Sequence, residues 1–320
     1  MKKILNLIAA SLAGGGAMAE KSKFLSVAMR TTGTLTVVAL ALLASGCATA
    51  LGQSSLDVKA QANPASDPSN SSGWILNKEM SDEFEGRGLD TSKWLIQGTD
   101  GEYRSKFIGR APSQFSTKNV RLEDGKLKLQ TRWEPAFSFS AKPDKEGKKY
   151  ENITTAAVIS KRQFLYGYME TKCKAADASI TSSFWMTGHN SELDVFEFMG
   201  APAQAHKKHL EKEYLFTMID WGNPKAGMKR VWQASHPLDW RVADAFHVYG
   251  CEWNENYLKF YADGKLVGSV TKEDLGERWV LKTPLWIWVD SETFPWHGLP
   301  QKKDLPVDYE IDYIRVWQSK

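Results

Sequence analysis

The chain predicts an all-β fold, two antiparallel sheets packed face to face as a jelly-roll sandwich with a concave cleft, and three observations carry that prediction. Short runs with apolar residues at alternate positions recur between Gly, Asp and Asn, as in Lys126-Leu127-Lys128-Leu129 after the turn Asp124-Gly125, and a period of two marks strands with one buried face. Leu258-Lys259-Phe260-Tyr261-Ala262, the turn Asp263-Gly264 and Lys265-Leu266-Val267 spell a hairpin. Helical periodicity is weak: the best stretch, residues 206–213, is charged on most faces and reads as a surface insertion. Residues 73–320 show no break in composition and no repeat, so they form one domain of roughly 250 residues.

Residues 1–46 are targeting segments, set aside from the fold. Residues 31–45 are apolar apart from Thr, Gly and a final Ser, follow Arg30 and run into Gly46-Cys47, similar to a bacterial lipoprotein signal with Cys47 as the lipidated residue. The run is shorter than the roughly 20 apolar residues of a membrane-spanning helix. Lys2, Lys3, the apolar run 4–12 and Ala17-Met18-Ala19 form a second, earlier signal. Two in series place the true start of translation at Met29 or Met18; the other reading uses the first signal and leaves Cys47 without lipid. Ala48 after the cysteine implies an exported outer-membrane lipoprotein, at the cell surface or released from it.

Setting residues 1–46 aside removes five basic residues and one acid, which takes the net charge from +3 to −1. No basic nucleic-acid-binding domain remains, and the membrane is reached only through the lipid anchor. Residues 47–72, rich in Ser, Ala, Asn, Asp and Pro without an apolar period, read as the anchor and a flexible tether. Cys173 and Cys251 fall in strand patterns and are expected as buried free thiols; pairing is the alternative in an exported protein. A monomer is expected.

Ser191 to Gly200, SELDVFEFMG, is the stretch the domain is organised around. Glu192, Asp194 and Glu197 lie among Leu193, Val195, Phe196, Phe198 and Met199, and charge in apolar surroundings is costly unless it is used. Alternation puts Glu192 and Asp194 on one face and Glu197 on the other; a one-residue bulge returns Glu197 to the first face. Two carboxyl groups converging on a cleft with a third between them suit retaining glycoside hydrolysis, in which one attacks the anomeric carbon while the other protonates the leaving oxygen. The competing reading is the solvated face of an amphipathic strand.

Glu192-Leu193-Asp194-Val195-Phe196-Glu197 resembles the bulged E-x-D-x-x-E signature of glycoside hydrolase family 16, found in laminarinases, agarases, porphyranases and carrageenases. Asp82 to Gly86 with Trp94 resembles the family's opening strand, residues 166–170 the strand before the catalytic one, residues 246–250 with Glu252-Trp253 the strand after it, and residues 311–317 the closing strand. The resemblance spans about residues 74–317. It implies that Glu192 is the nucleophile, Glu197 the acid/base, and Asp194 the partner holding the two in different protonation states. It also implies a structural calcium, for which Glu83 and Asp312 are the acids in the first and last strands. No catalytic cofactor is implied, since no His/Cys ligand cluster is present.

Sugar rings present flat C–H faces to aromatic platforms, and the chain has 13 Trp. Trp185, Trp133 and Trp296 are the candidates for sugar contact; Trp286 and Trp288 share a strand face and are balanced between cleft and core; Trp94, Trp253 and Trp317 read as core. Phe107 to Pro112 and Asp290 to Pro300 resemble loops of enzymes that cut red-algal galactans. Arg110 and Arg132 are therefore candidates for a sulfate, the guanidinium fork suiting oxyanions, with a structural ion pair as the other reading of Arg110. Phe107 stands where Trp is expected in porphyranase-like loops. His189, His206 and His209 are candidates for substrate contact and Glu292 for a sugar hydroxyl, with solvated loop histidines as the other reading, and His247 is a structural strand residue. The function expected is a retaining endo-β-galactanase on porphyran or agar, then carrageenan, with a sulfated galactan as partner. A laminarinase-type β-glucanase and a carbohydrate-binding protein without catalysis are the alternatives.

Overall fold

The computed structural model describes residues 63–98, 106–222 and 229–319; Met18, Met29, Cys47 and both signal segments lie outside them. Two sheets make the sandwich. Across the ten-stranded sheet the order is β15 (Lys265–Thr271), β14 (Tyr257–Ala262), β13 (His247–Trp253), β8 (Gly167–Lys174), β17 (Val307–Gln318), β5 (Lys126–Trp133), β6 (Ile153–Thr155) and β3 (Ser113–Phe115), with β1 (Ile75–Leu76) on β17 and β4 (Val120–Glu123) on β5. The seven-stranded sheet runs β12 (Lys229–Pro237), β11 (Glu213–Asp220), β10 (Ser191–Met199), β9 (Thr181–Gly188), β16 (Leu285–Asp290), β7 (Ala157–Phe164) and β2 (Trp94–Gln97). Every pairing is antiparallel except that of β3 with β6.

The expected hairpin forms, and the expected turn before residue 126 closes a second one. Asp124-Gly125 joins β4 to β5 and Asp263-Gly264 joins β14 to β15, all four residues at positive φ, the turn geometry that matches the twist of the flanking strands. The insertion at 206–213 is a run of 3-10 turns, Ala205–Lys212. Residues 166–170 and 246–250, expected to flank the catalytic strand, instead belong to β8 and β13, which pair with each other in the opposite sheet. Sequence order around a catalytic strand does not give spatial order in a sandwich, because the chain crosses between sheets.

The core lies between the sheets, where Phe196 meets Tyr249 at 5.3 Å between ring centroids and Phe216 stacks on Phe260 at 4.2 Å. Trp94, Trp253 and Trp317 are buried, as expected, and Cys173 and Cys251 are buried free thiols. A smaller apolar cluster of Leu95, Phe115, Ala157, Ile159 and Trp288, with Phe107, Trp185 and Trp286 against it, covers the other face of the seven-stranded sheet.

Two expectations are corrected here. The flexible tether does not extend to residue 72: residues 63–73 are folded into turns in which Asp67 accepts from the backbone of Ser71 and Ser72. They dock on the ten-stranded sheet through Ala65 N–H, which donates to Glu170 Oε2 at 2.9 Å. Tyr168, Glu170, Lys172 and Lys174 alternate with the core residues Met169 and Cys173 on β8, so this contact is on the outer, convex face. The second correction concerns calcium. Glu83 accepts two bonds from the Arg315 guanidinium, at 2.7 and 2.8 Å, and Asp312 pairs with Lys172 at 2.8 Å. Calcium takes six to eight oxygen ligands, and these two acids are each committed to a cation; no cluster of three ligand-type side chains occurs among the described residues.

Candidate active site

The bulge expected in the acid-rich strand is present. Opposite β9, Glu192 pairs with Thr187 and Asp194 with Trp185; Val195 has no partner, and Phe196 and Glu197 resume with Phe184 and Ser183. Because Thr187, Trp185 and Ser183 are two residues apart, they share one face of β9, and so do the three acids opposite them. The extra residue is absorbed inward: Val195 and Phe196, adjacent in sequence, both lie in the core with Leu193 and Phe198.

The next strand continues the rows. Trp286, Trp288 and Asp290 of β16 pair with Thr187, Trp185 and Ser183, so the floor consists of the cross-strand lines Glu192-Thr187-Trp286, Asp194-Trp185-Trp288 and Glu197-Ser183-Asp290. Trp185 packs on Trp288 at 4.8 Å and donates its indole N–H to Asp290 Oδ2 at 3.1 Å. Over this floor is a cleft of about 860 Å³, also lined by Phe107, Arg110, His189, Trp221 and Glu292. Trp221 donates its indole N–H to Glu192 Oε2 at 3.0 Å, and Arg110 Nε donates to Glu292 Oε2 at 3.0 Å.

Five carboxyl groups of the floor and wall therefore share one cleft, and burial is the first cause of an upward shift in each. Burial pushes Glu192 up to about 8, with the charges of Glu197 and Glu292 adding and the Trp221 bond opposing. Glu197 is pushed up to about 7 by burial and then by Glu292, against Arg110 and Arg230. Asp194 and Asp290 are raised well above the ordinary carboxylate range by burial and by their acidic neighbours. Glu292 is raised by burial and held back by Arg110. Glu192 and Glu197 keep part of their surface open to the cleft, so water tempers both shifts. The direction is common to all five, which makes the cleft a place where protons are shared and at least one carboxyl is held as an acid near neutral pH.

The other sequence candidates divide. Phe107, Arg110, Trp185, His189 and Glu292 line the cleft. His189 and Asn190 form the tight turn into β10, both at positive φ. The charge of Arg110 is matched by Glu292, and its guanidinium lies 5.0 Å from the Phe294 ring and 5.2 Å from the Trp296 ring, which fits the structural ion-pair reading. Trp296 stands exposed beside this group, outside the residues lining the cleft. Trp133 and Arg132, at the end of β5, are not among the lining residues either, and Arg132 pairs with Glu134 at 3.2 Å. His206 and His209 are exposed on the 3-10 insertion.

Sequence reasoning missed Asp290, Trp221 and the residues 140–146 that overhang the cleft. The signal for Asp290 was available, since Trp286, Trp288 and Asp290 recur at a spacing of two. Trp221 and residues 140–146 arrive from loops, and no local pattern announces a loop's destination.

Comparison with known proteins agrees with this geometry. Residues 74–319 match the family model described as "Beta-porphyranase A-D, GH16 domain". Beta-porphyranase E of Zobellia galactanivorans is 28% identical over 263 residues, covering 76% of this chain and 88% of that one. Beta-porphyranase B of Phocaeicola plebeius is 28% identical over 263 residues, covering 72% and 79%. The crystal structure of porphyranase B from Zobellia galactanivorans superposes with a TM-score of 0.60 at 26% identity, over 77% of this chain and 92% of that one.

Proposed function

The chain belongs to glycoside hydrolase family 16, and from that premise we propose that it is a retaining endo-β-galactanase whose substrate is a red-algal galactan, porphyran before agar or carrageenan. The observation that carries the mechanism is the register of β10, which returns Glu197 to the face of Glu192 and Asp194. The two glutamates titrate as a coupled pair, and in the first step the form with Glu192 ionised and the proton on Glu197 reacts: the Glu192 carboxylate attacks the anomeric carbon while Glu197 gives its proton to the departing glycosidic oxygen. The covalent glycosyl ester on Glu192 is then cleaved by water, whose proton Glu197 takes as base, restoring both groups. Asp194, between them and fully buried, keeps the two glutamates from ionising together. Trp221 steadies the nucleophile through its N–H bond, and Trp185 with Trp288 offers the apolar floor for a sugar face. Porphyran is preferred because the matched family model and the relatives named above carry that activity in their names.

The test is incubation with porphyran, agarose, κ-carrageenan and laminarin, with Glu192→Gln as blank and products read by mass spectrometry. Sulfated galactan fragments absent from the blank are expected. Products from laminarin alone would replace the substrate and keep the mechanism. Retention in a polysaccharide gel with no product from any substrate would make it a binding protein. The proposal extends to location: an outer-membrane lipoprotein held through Cys47, expected to take up a palmitate analogue that the Cys47→Ala variant does not.

A further inference from the structure

The sequence candidates for an anion, Arg110 and Arg132, both have their charge matched by a carboxylate. The unpaired cations over the cleft are elsewhere. The connection between β5 and β6, residues 134–152, is an ordered strap. Its base closes where Glu134 N–H donates to Asn152 O at 2.7 Å, and Ser140 N–H donates to Gln114 Oε1 at 2.8 Å. Near its tip Asp144 Oδ1 accepts from the backbone N–H groups of Glu146 and Lys148, at 2.9 and 2.8 Å. The returning limb is tied to one wall of the cleft, where the Tyr150 hydroxyl donates to Gly109 O at 3.2 Å and Glu151 N–H to Pro112 O at 2.9 Å.

From that wall the strap reaches the other. Lys145 Nζ lies 5.8 Å from the centre of the Trp221 ring, and Trp221 is the residue bonded to Glu192. Trp221 N–H also donates to Asn190 O at 2.7 Å, so the crossing is at the end of the cleft where β10 begins. The strap's acids are committed, Asp144 to the turn and Glu146 to Lys148 at 2.7 Å. Two of its lysines are not: Lys142 and Lys145 line the cleft, both are exposed, and neither forms an ion pair among the described residues. Below them the floor is acidic and apolar. A sugar chain lying on that floor presents its reacting bond downward and its outward substituents to the roof. Ammonium groups held there, above a floor whose acids lie beneath the sugar, complement a negative substituent on the outward side of the chain.

We propose that this strap roofs the Glu192 end of the cleft and that Lys145, with Lys142, forms a subsite for a sulfate ester pointing away from the catalytic floor. The assignment rests on the galactanase reading and narrows it to a sulfated chain at that end. It also moves anion recognition from the walls to a loop.

The experiment compares wild type with Lys142→Met/Lys145→Met on porphyran and agarose, at about 0.15 M salt so that exposed charges further apart than about 8 Å are screened. The ratio of kcat/KM for porphyran over agarose is expected to fall about tenfold in the double variant, the size of one charge-assisted hydrogen bond. The loss should appear in KM, not kcat, with Lys142→Arg/Lys145→Arg restoring the ratio and with the melting temperature constant across the set. An unchanged ratio, or an equal loss on both substrates, overturns the subsite. If wild type cleaves neither galactan, the enzymatic reading fails separately. The subsite is then read from retention of Glu192→Gln in porphyran and agarose gels: retention by porphyran that the added Lys→Met changes abolish supports it, and equal retention by both gels overturns it.

Discussion

The two faces of this sandwich bury acids in opposite ways. On the outer face of the ten-stranded sheet each partly buried carboxylate has found its partners: Glu83 has Arg315, Glu252 accepts from the hydroxyls of Tyr257 and Tyr261, and Glu170 accepts from Ala65 N–H and the Tyr313 hydroxyl. Across the cleft face, Glu192, Asp194, Glu197, Asp290 and Glu292 crowd one another, and among the described residues only Glu292 has an arginine in contact. Matched charge is how a fold tolerates a buried acid. Unmatched charge of one sign raises carboxyl pKa values and is kept where chemistry uses it. The lesson is that buried acids are sorted by what surrounds them: Glu170 and Asp290 are equally buried and both are raised by burial, but the partners of Glu170 all oppose the shift while Glu292 and Glu197 add to that of Asp290.

Substitutions sharpen that contrast. The largest effect expected is on the cleft face, where Glu192→Gln should lower kcat about a thousandfold or more with no loss of melting temperature. Glu197→Gln should lower it by about 10²–10⁴-fold. On the floor, Trp185→Ala and Asp290→Ala should each lower kcat/KM about tenfold by losing the platform or the bond that orients it, and Asp290→Asn, which can still accept from the indole N–H, should lose less. A large effect of Asp290→Asn, with a shifted pH profile, would show that its charge matters beyond orientation.

The outer face should answer in stability alone. Glu83→Gln gives up two charge-assisted bonds and is expected to cost about 2 kcal/mol, a fall of roughly 4–8 °C in melting temperature for a domain of this size, with kcat per folded molecule unchanged. The pH dependence separates the faces further. A carboxyl whose folded pKa is raised contributes stability that is fully present below its unfolded value, about 4, and is lost as pH rises through the folded value. For Glu197 and Glu192 those folded values are about 7 and about 8, so the melting temperature should decline between pH 5 and 8. Glu192→Gln should flatten that decline; a slope unchanged in the variant would place the pH dependence elsewhere. The smallest effect is expected from Trp133→Ala, outside the cleft, with KM on galactan changed by less than about twofold.

What was legible in the chain was what strands write locally. The spacing of Glu192, Asp194 and Glu197 implied a bulge because a period of two leaves no other way to bring them to one face, and the register shift at Val195 is that bulge. The same period carried Asp290, where it was overlooked. Trp133 and Arg132 stand at the end of β5 and outside the cleft lining, and a Trp and an Arg near a proline read the same in sequence whether or not they face a cleft.

The sequence by itself determined the alternating strands, the two Asp-Gly turns and the acidic strand with its bulge, since each depends on side chains one or two positions apart along a pleated backbone. Only the tertiary structure decided that Arg110 is held by Glu292, 182 residues away, that Glu83 pairs with Arg315 and Asp312 with Lys172, that residues 63–73 dock on the convex face, and that the strap at 134–152 crosses to Trp221. Those contacts join segments far apart in the chain. Their energies depend on which chain segments the closed sandwich brings within a few ångströms, and that distance is not encoded in any local spacing.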